Sequence, residues 1–217
     1  MVLVVLEGID ASGKKTQTEL LARRLRKTGK KVAFLHFPSY GTPSGKLVEA
    51  YLKGEFGPRE KVPRKFAAML YALDRFAQKK KLEGLLKKGF VVILDRYTQS
   101  NLAYASADLT GKERKELISW IEKLEKSLPK ADAVVFLDVP PQQSEKLFGK
   151  RKAKIKGVRR DIHERDFSYA KRVYANYLSL AREKKWIVVK CVGRGRLKAK
   201  EAIAGEVYEA LRRRKAL

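Results

Sequence analysis

Val2-Leu3-Val4-Val5-Leu6-Glu7-Gly8-Ile9-Asp10-Ala11-Ser12-Gly13-Lys14-Lys15-Thr16 is the stretch on which the reading of this chain turns. Its first part is an almost unbroken apolar run, the pattern of a strand buried on both faces. Its second part has the spacing G-x-x-x-x-G-K. Glycines at those positions let the backbone curl until its N–H groups converge on an anion. A helix opening near Gly13 adds the positive end of its dipole, and Lys14 reaches the β and γ phosphates of a nucleotide. A glycine turn that merely feeds a helix is the plain alternative. The immediate succession of strand, loop and helix argues against it and makes Gly8, Asp10, Ala11, Ser12, Gly13, Lys14, Lys15 and Thr16 the candidate ATP-binding stretch. One position departs from the motif: the residue after the lysine is ordinarily Ser or Thr, whose hydroxyl holds Mg²⁺. An ammonium ligates no metal. Either Lys15 points away and Thr16 or water completes the metal shell, or its charge replaces part of the metal's charge on the phosphates.

Working outward, further apolar runs at 32–37, 90–94, 133–139 and 186–192 read as buried strands. Helical patterns lie between them at 13–28, 43–54, 63–88, 112–128, from about 142, at 167–185, and from 197 to the C-terminus. The pattern over 63–88 carries Phe66, Leu70, Leu73, Phe76 and Ala77 at helical spacing, with Gly89 ending it. Strand–helix alternation of this kind predicts an α/β fold, a five-stranded parallel sheet with helices on both faces. With no internal repeat and no low-complexity linker, residues 1–217 read as a single domain. The segment 150–160 is basic, contains Gly157 and is poor in large apolar residues, as a flap over a site would be.

The composition sets the partner class. Fifty Lys plus Arg against 24 Asp plus Glu leave a formal charge of +26, so the partner is anionic: a nucleotide, a nucleic acid or an acidic surface. The basic residues are spread from Lys14 to Lys215, with dense runs at 79–81, 150–160 and 212–215. That spread favours a generally cationic surface with a smaller phosphate cleft over one nucleic-acid-binding face, so nucleic acid is not required. A hydrophobic fraction of 44% excludes wholesale disorder. The single cysteine, Cys191, cannot form an internal disulfide and suits a reducing compartment. No apolar run reaches the roughly 18 residues that a membrane span requires. The opening run is too short, and lacks the basic leader, for a signal peptide. The expected location is the cytoplasm.

The loop extended to Gln17 resembles the opening of the thymidylate kinase family, where an acidic residue sits inside the phosphate loop and Thr-Gln follows the lysine. Later stretches are similar to that family's other motifs, in order, over about residues 2–192. They are Phe37-Pro38 with Gly45-Lys46-Leu47 and Tyr51-Leu52, Tyr71-Ala72-Leu73-Asp74-Arg75, and Asp95-Arg96-Tyr97 with Ser100 and Tyr104. The last is Asp161-Ile162-His163-Glu164 followed by Phe167, Val173, Tyr174 and Leu178. The resemblance implies a three-layer P-loop kinase fold that transfers the γ-phosphoryl group of ATP to dTMP, giving dTDP and ADP, with Mg²⁺. It further implies a base and monophosphate region near 38–75, a lid near 148–163, and commonly a homodimer, for which the apolar faces of the 63–88 helix are available.

The same resemblance implies the individual roles. Arg96 clamps the acceptor phosphate, and Asp95 binds the metal through water, with Thr16 the second metal candidate. Arg75 hydrogen-bonds a thymine oxygen, Tyr71 stacks on the ring, and Phe37 and Leu52 wall the base. Ser100 and Asn101 reach the base edge. Asp10 binds the deoxyribose 3′-hydroxyl, and Tyr104 lies under the sugar and excludes a 2′-hydroxyl. Lys14, Arg96 and lid arginines supply the catalytic charge. Many relatives carry an arginine in the loop itself where Ala11 and Ser12 stand here, which puts that duty on the lid, on Arg151 first, then Arg159 or Arg160. Tyr40 stands where several relatives have a phosphate-binding arginine, so Lys46 takes over or the grip is weaker.

Phosphoryl transfer needs placement and charge neutralisation more than covalent chemistry. A monophosphate acceptor is already anionic, so no general base is required, in keeping with the lack of a convincing His or Ser–His site. His36 reads as a structural strand residue, His163 lacks the company of a zinc site, Cys191 reads as a small core residue, and Asp138 as a strand exit before Pro140-Pro141. Three rival readings remain at this stage: a phosphate-loop kinase for another nucleotide, a nucleic-acid-binding ATPase, and a nucleotide-binding relative without turnover.

Overall fold

The computed structural model describes residues 2–154, 161–163 and 166–217, with 150–154 described by their backbone alone. The elements are β1 (Val2–Glu7), α1 (Lys14–Lys27), β2 (Val32–His36), α2 (Pro43–Lys53), α3 (Arg64–Ala77), α4 (Lys79–Lys87), β3 (Val91–Asp95) and α5 (Thr98–Ala105). They continue with α6 (Gly111–Leu124), β4 (Ala133–Asp138), α7 (Pro141–Lys154), α8 (Phe167–Glu183), β5 (Ile187–Lys190), β6 (Val192–Gly193), β7 (Arg196–Leu197) and α9 (Lys200–Arg213). The main sheet has five strands in the order β2-β3-β1-β4-β5. Every pair in it is parallel, with Val4 opposite Ile93 on one side and Ala133 on the other.

The strand runs are continuous because both faces are covered, and alternate residues feed different cores. Leu3, Val5, Val92, Leu94 and Phe136 pack with α5, α6 and α8 side chains such as Leu102, Ile121 and Tyr177. Val4, Leu6, Ile93, Val135 and Leu137 pack with Leu21 and Leu25 of α1 and Val207 and Leu211 of α9. Cys191 is buried in this second layer. A third cluster, Val48, Tyr51, Leu52, Val62 and Leu70, joins α2 to α3 off the sheet's end.

Three details differ from the sequence-based expectation. The continuous helix over 63–88 is two, α3 and α4, separated at Gln78. Gln78 donates its N–H to Arg75 O at 3.1 Å, a tight i to i−3 turn that breaks the α ladder. The bend keeps Phe76 before it and Leu82 after it in the same core. The polar stretch after β3 forms the short helix α5, and a two-residue hairpin, β6–β7, follows β5. No helix among the described residues is long and apolar enough to cross a membrane.

Candidate active site

The site lies off the C-terminal ends of the strands, where an open parallel sheet leaves a crevice. From the end of β1 the chain curls through left-handed conformations at Ala11 (φ 54°) and Gly13 (φ 84°) into α1. A Cβ on Gly8 would fall 2.6 Å from Ser12 Oγ and 3.2 Å from Leu137 O, so this turn has no room for a side chain. Lys14 is buried, and its Nζ donates to Gly8 O at 3.1 Å and Ile9 O at 2.8 Å. Burial, aided by the nearby Arg96 charge, pushes the Lys14 ammonium down to about 8. Lys15 is exposed.

β3 ends in Asp95, and the chain reverses at Arg96, whose backbone is left-handed (φ 67°). That reversal folds the guanidinium back over the phosphate loop. Its Nη2 donates to Asp10 Oδ1 at 2.5 Å and to Tyr104 OH at 3.2 Å. Its Nη1 donates to Ser100 Oγ at 3.1 Å and to Tyr177 OH at 3.3 Å. Asp10 Oδ2 also accepts from Tyr104 OH at 2.6 Å. Burial alone would raise the Asp10 carboxyl, but Arg96 and Lys14 outweigh it and hold it below the usual carboxylate range. Arg96 in turn is raised well above its ordinary value, the pull of Asp10 overcoming the cost of burial.

Behind Arg96 stands Glu7, fully buried. Its carboxylate accepts from Tyr97 N (2.9 Å), Ser100 N (3.1 Å), Ser100 Oγ (2.7 Å) and Tyr177 OH (2.8 Å). Two of these donors, Ser100 and Tyr177, are the groups that hold Arg96 Nη1, so the guanidinium is fixed on a buried carboxylate through two hydroxyls.

A cavity of about 200 Å³ opens beside Arg96. The hydrogen-bonded trio Asp10, Arg96 and Tyr104 borders it, as do Phe37, Leu52, Tyr71, Arg75 and Asn101. The structure thus gathers these sequence-expected residues round one space from α2, α3, α5 and the exits of β1, β2 and β3. Ser100 is a correction: it borders the cavity, but its hydroxyl is committed to Glu7 and Arg96 and so positions the guanidinium instead of reaching a base edge. Lys46 is another: it is exposed and does not border the cavity, whereas Arg59 and Arg64 do. Arg75 carries a partner that the sequence did not announce, Glu125, at 2.5 Å in a pair only 2–3% exposed. Asn101 donates from Nδ2 to Ala68 O at 3.1 Å.

Other expected residues fall elsewhere. His36 Nδ1 lies 3.4 Å from Asp95 Oδ2. Asp138 accepts from Tyr174 OH at 2.7 Å. Arg151 lies on α7, known there by its backbone alone, and Arg159, Arg160 and the lid stretch 155–160 lie outside the described residues. Sequence reasoning missed Glu7, Tyr177, Arg59 and His163. Two of them carried a signal: Glu7 as a lone carboxylate closing a strand buried on both faces, and His163 as a member of the 161–164 motif.

Part of the cavity lining is ionic. Arg59 Nη1 reaches Asp108 Oδ2 at 2.8 Å, Arg172 Nε also donates to Asp108, and the Arg59 guanidinium lies 3.8 Å over the Tyr169 ring. α7 is tied to the phosphate loop through Ser144 Oγ, which donates to Asp10 O at 2.5 Å.

A glycine loop at the end of the first strand of a parallel sheet, beside a cavity lined by a guanidinium that four side chains hold, defines a phosphate-loop kinase acting on a small anionic acceptor. Comparison with known proteins narrows the class. The family model described as thymidylate kinase matches residues 6–201. The chain is 35% identical over 205 residues to thymidylate kinase of Mycobacterium tuberculosis, covering 91% of this chain and 95% of that one. It is 35% identical over 183 residues to a probable thymidylate kinase of Thermococcus kodakarensis, covering 82% and 83%. A solved structure of thymidylate kinase from Candida albicans superposes with a TM-score of 0.75 at 26% identity, over 99% of this chain and 92% of that one. The chain belongs to the thymidylate kinase family.

Proposed function

We propose that this chain transfers the γ-phosphoryl group of ATP to dTMP, giving ADP and dTDP, with the phosphate loop 8–16 as donor site and the cavity beside Arg96 as acceptor site. The observation that carries this reading is the Arg96 guanidinium, held by Asp10, Ser100, Tyr104 and Tyr177 between the two. In the reaction an oxygen of the dTMP phosphate attacks the γ-phosphorus, and the bond to the bridging oxygen of ADP breaks. The obstacle is repulsion between two polyanions. Lys14 and Arg96 offset it from opposite sides in a site screened from water. Arg151 of the lid is a third cation for the transferring group. Phe37, Leu52 and Tyr71 hold the base, with Arg75 and Asn101 at its edge. Tyr104, pinned to Asp10, leaves no room for a 2′-hydroxyl. The test is a coupled assay with ATP and dTMP, dUMP, dCMP or UMP as acceptor. Formation of dTDP, with dTMP the best acceptor, is expected; purified protein that makes none overturns the reading.

The residues present fit Mg²⁺. Asp95 Oδ1 and Ser12 Oγ are buried with no hydrogen-bond partner among the described residues, and oxygen donors suit a hard cation that keeps several waters. Asp95 and Thr16 would hold it, and when bound it supplies further neutralisation of the phosphates. The exposure of Lys15 supports the view that this side chain points away. Lys15→Thr is therefore expected to leave the dependence of rate on Mg²⁺ concentration unchanged; a lower Mg²⁺ requirement in the wild type than in the variant would show that Lys15 substitutes for metal charge.

Lys14 gives a pH prediction. ATP binds the charged ammonium, which is half populated at about 8 and nearly complete a pH unit below. ATP affinity is therefore expected to be flat from pH 6.5 to 7.5 and to weaken up to tenfold per pH unit above about 8. Calorimetric titration of ATP across that range checks it, and an affinity that stays level to pH 9.5 contradicts it.

The reading extends to one kinase domain over 1–217, with a base and monophosphate region near 38–75 and a lid near 148–163, acting in the cytoplasm where both nucleotides are found. Met69 and Leu73, one turn apart on α3 and 43% and 48% exposed, support a homodimer through this face.

A further inference from the structure

We propose that His163 reads the sugar of the acceptor nucleotide, its imidazole donating a hydrogen bond to the 3′-hydroxyl whose proton Asp10 accepts. The ring is 7% exposed and borders the cavity, and neither nitrogen has a hydrogen-bond partner among the described residues. It is held by aromatic rings: Tyr51 at 5.5 Å, Tyr104 at 5.5 Å and Tyr169 at 5.4 Å between centroids. The hydroxyls of two of these tyrosines are committed elsewhere, Tyr104 to Asp10 and Tyr169 to Tyr104 O. The cage therefore fixes the ring's place without satisfying its polar atoms. A buried polar atom left unpaired costs about 1–3 kcal/mol, so such a group is found where a partner arrives.

The cavity says which partner. Among the residues that line it, Arg96 suits a phosphate and Tyr71 with Arg75 suits a base, so the sugar that joins the two falls to the other polar lining residues, Asp10, Tyr104 and His163. A carboxylate can only accept, so Asp10 takes the proton of the 3′-hydroxyl and leaves that oxygen's lone pairs free. An imidazole N–H fills one of them. Burial holds the ring neutral, its protonated form pushed down to about 4, so a single N–H is carried and no extra charge meets the nearby Arg96 and Arg59.

The inference rests on the cavity being the acceptor site, which Arg96→Ala tests separately. The experiment compares kcat/KM for dTMP and for 3′-deoxy-dTMP. His163→Phe keeps an aromatic ring among the tyrosines and removes the N–H. It is expected to lower the preference for dTMP about tenfold, the loss of one buried hydrogen bond, with the 3′-deoxy acceptor unaffected. His163→Gln, which restores a donor, is expected to recover part of the preference. Equal losses on both acceptors, or none on either, overturn the proposal and leave His163 a packing residue. The wild-type protein provides a check that no folding defect can obscure. The chain has two histidines. The ring nitrogen resonances of His163, assigned by comparison with His36→Gln, are expected to shift on adding dTMP and not on adding 3′-deoxy-dTMP. Identical shifts with both nucleotides refute the contact.

Discussion

Arg96→Ala is expected to lower kcat/KM for dTMP by about 10³-fold or more, the scale on which a phosphoryl-clamping arginine or fixed anion donors act. The loss has two parts. The variant lacks the planar fork that grips a phosphate at two points. It also strands the Asp10 carboxylate, now 2.5 Å from its guanidinium partner, as an uncompensated negative charge beside the anionic acceptor. Arg96→Lys is expected to recover little, because one ammonium cannot span Asp10, Ser100, Tyr104 and Tyr177 together. ATP affinity is expected to hold within about twofold, or to tighten slightly, since Arg96 is one of the charges that depress Lys14. Initial rates with varied dTMP, beside calorimetry with ATP alone, separate the two. Equal damage to ATP binding and to transfer would contradict the assignment of Arg96 to the acceptor.

The largest stability effect is expected at Glu7. Glu7→Leu keeps the volume and removes the acceptor of four buried donors, the N–H groups of Tyr97 and Ser100 and the hydroxyls of Ser100 and Tyr177. The Ser100 N–H keeps Tyr97 O at 3.2 Å and one hydroxyl can donate to the other at 3.0 Å, so the Tyr97 N–H and one hydroxyl are left stranded. At about 1–3 kcal/mol for each unsatisfied group, partly relieved by local shifts, the cost is on the order of 3–5 kcal/mol. For a chain of this size that lowers Tm by on the order of 10 °C. Activity is expected to fall as well, because Ser100 and Tyr177 lose the anchor that aims Arg96. Glu7→Gln keeps an accepting oxygen and is expected to be milder on both counts. A Glu7→Leu protein melting within about 2 °C of the wild type would show that the carboxylate does not organise this corner.

The fold and the heart of the site were legible for different physical reasons. Strands buried on both faces leave continuous apolar runs, so β1, β3 and β4 stand out within a residue or so. The phosphate loop is local, and its glycine spacing carries its own geometry. Asp10, Phe37, Leu52, Tyr71, Arg75, Asn101 and Tyr104 are scattered over the chain, and only the family resemblance grouped them before the cavity did. What stayed hidden depends on long-range packing. Glu7 and Tyr177 meet across 170 positions. Tyr177 sits on α8 among core aromatics and has the same periodicity as they do. Ser100, on α5, was misread because its partner Glu7 comes from the end of β1, 93 positions away. The break at Gln78 involves neither Pro nor Gly, only one tightened turn. His163 gave no hint of its aromatic cage, whose members come from α2, α5 and α8.

Asp10 belongs to the phosphate loop by chain position and lines the cavity proposed for the acceptor by side chain. Anyone redesigning this protein for a new acceptor thus inherits a shared residue: a change made there for the sake of a different sugar also reshapes the curl that Lys14 leans on. Altered substrate preference is more safely sought at the far rim, around Arg59 and Arg64, where the chain is free of that double duty.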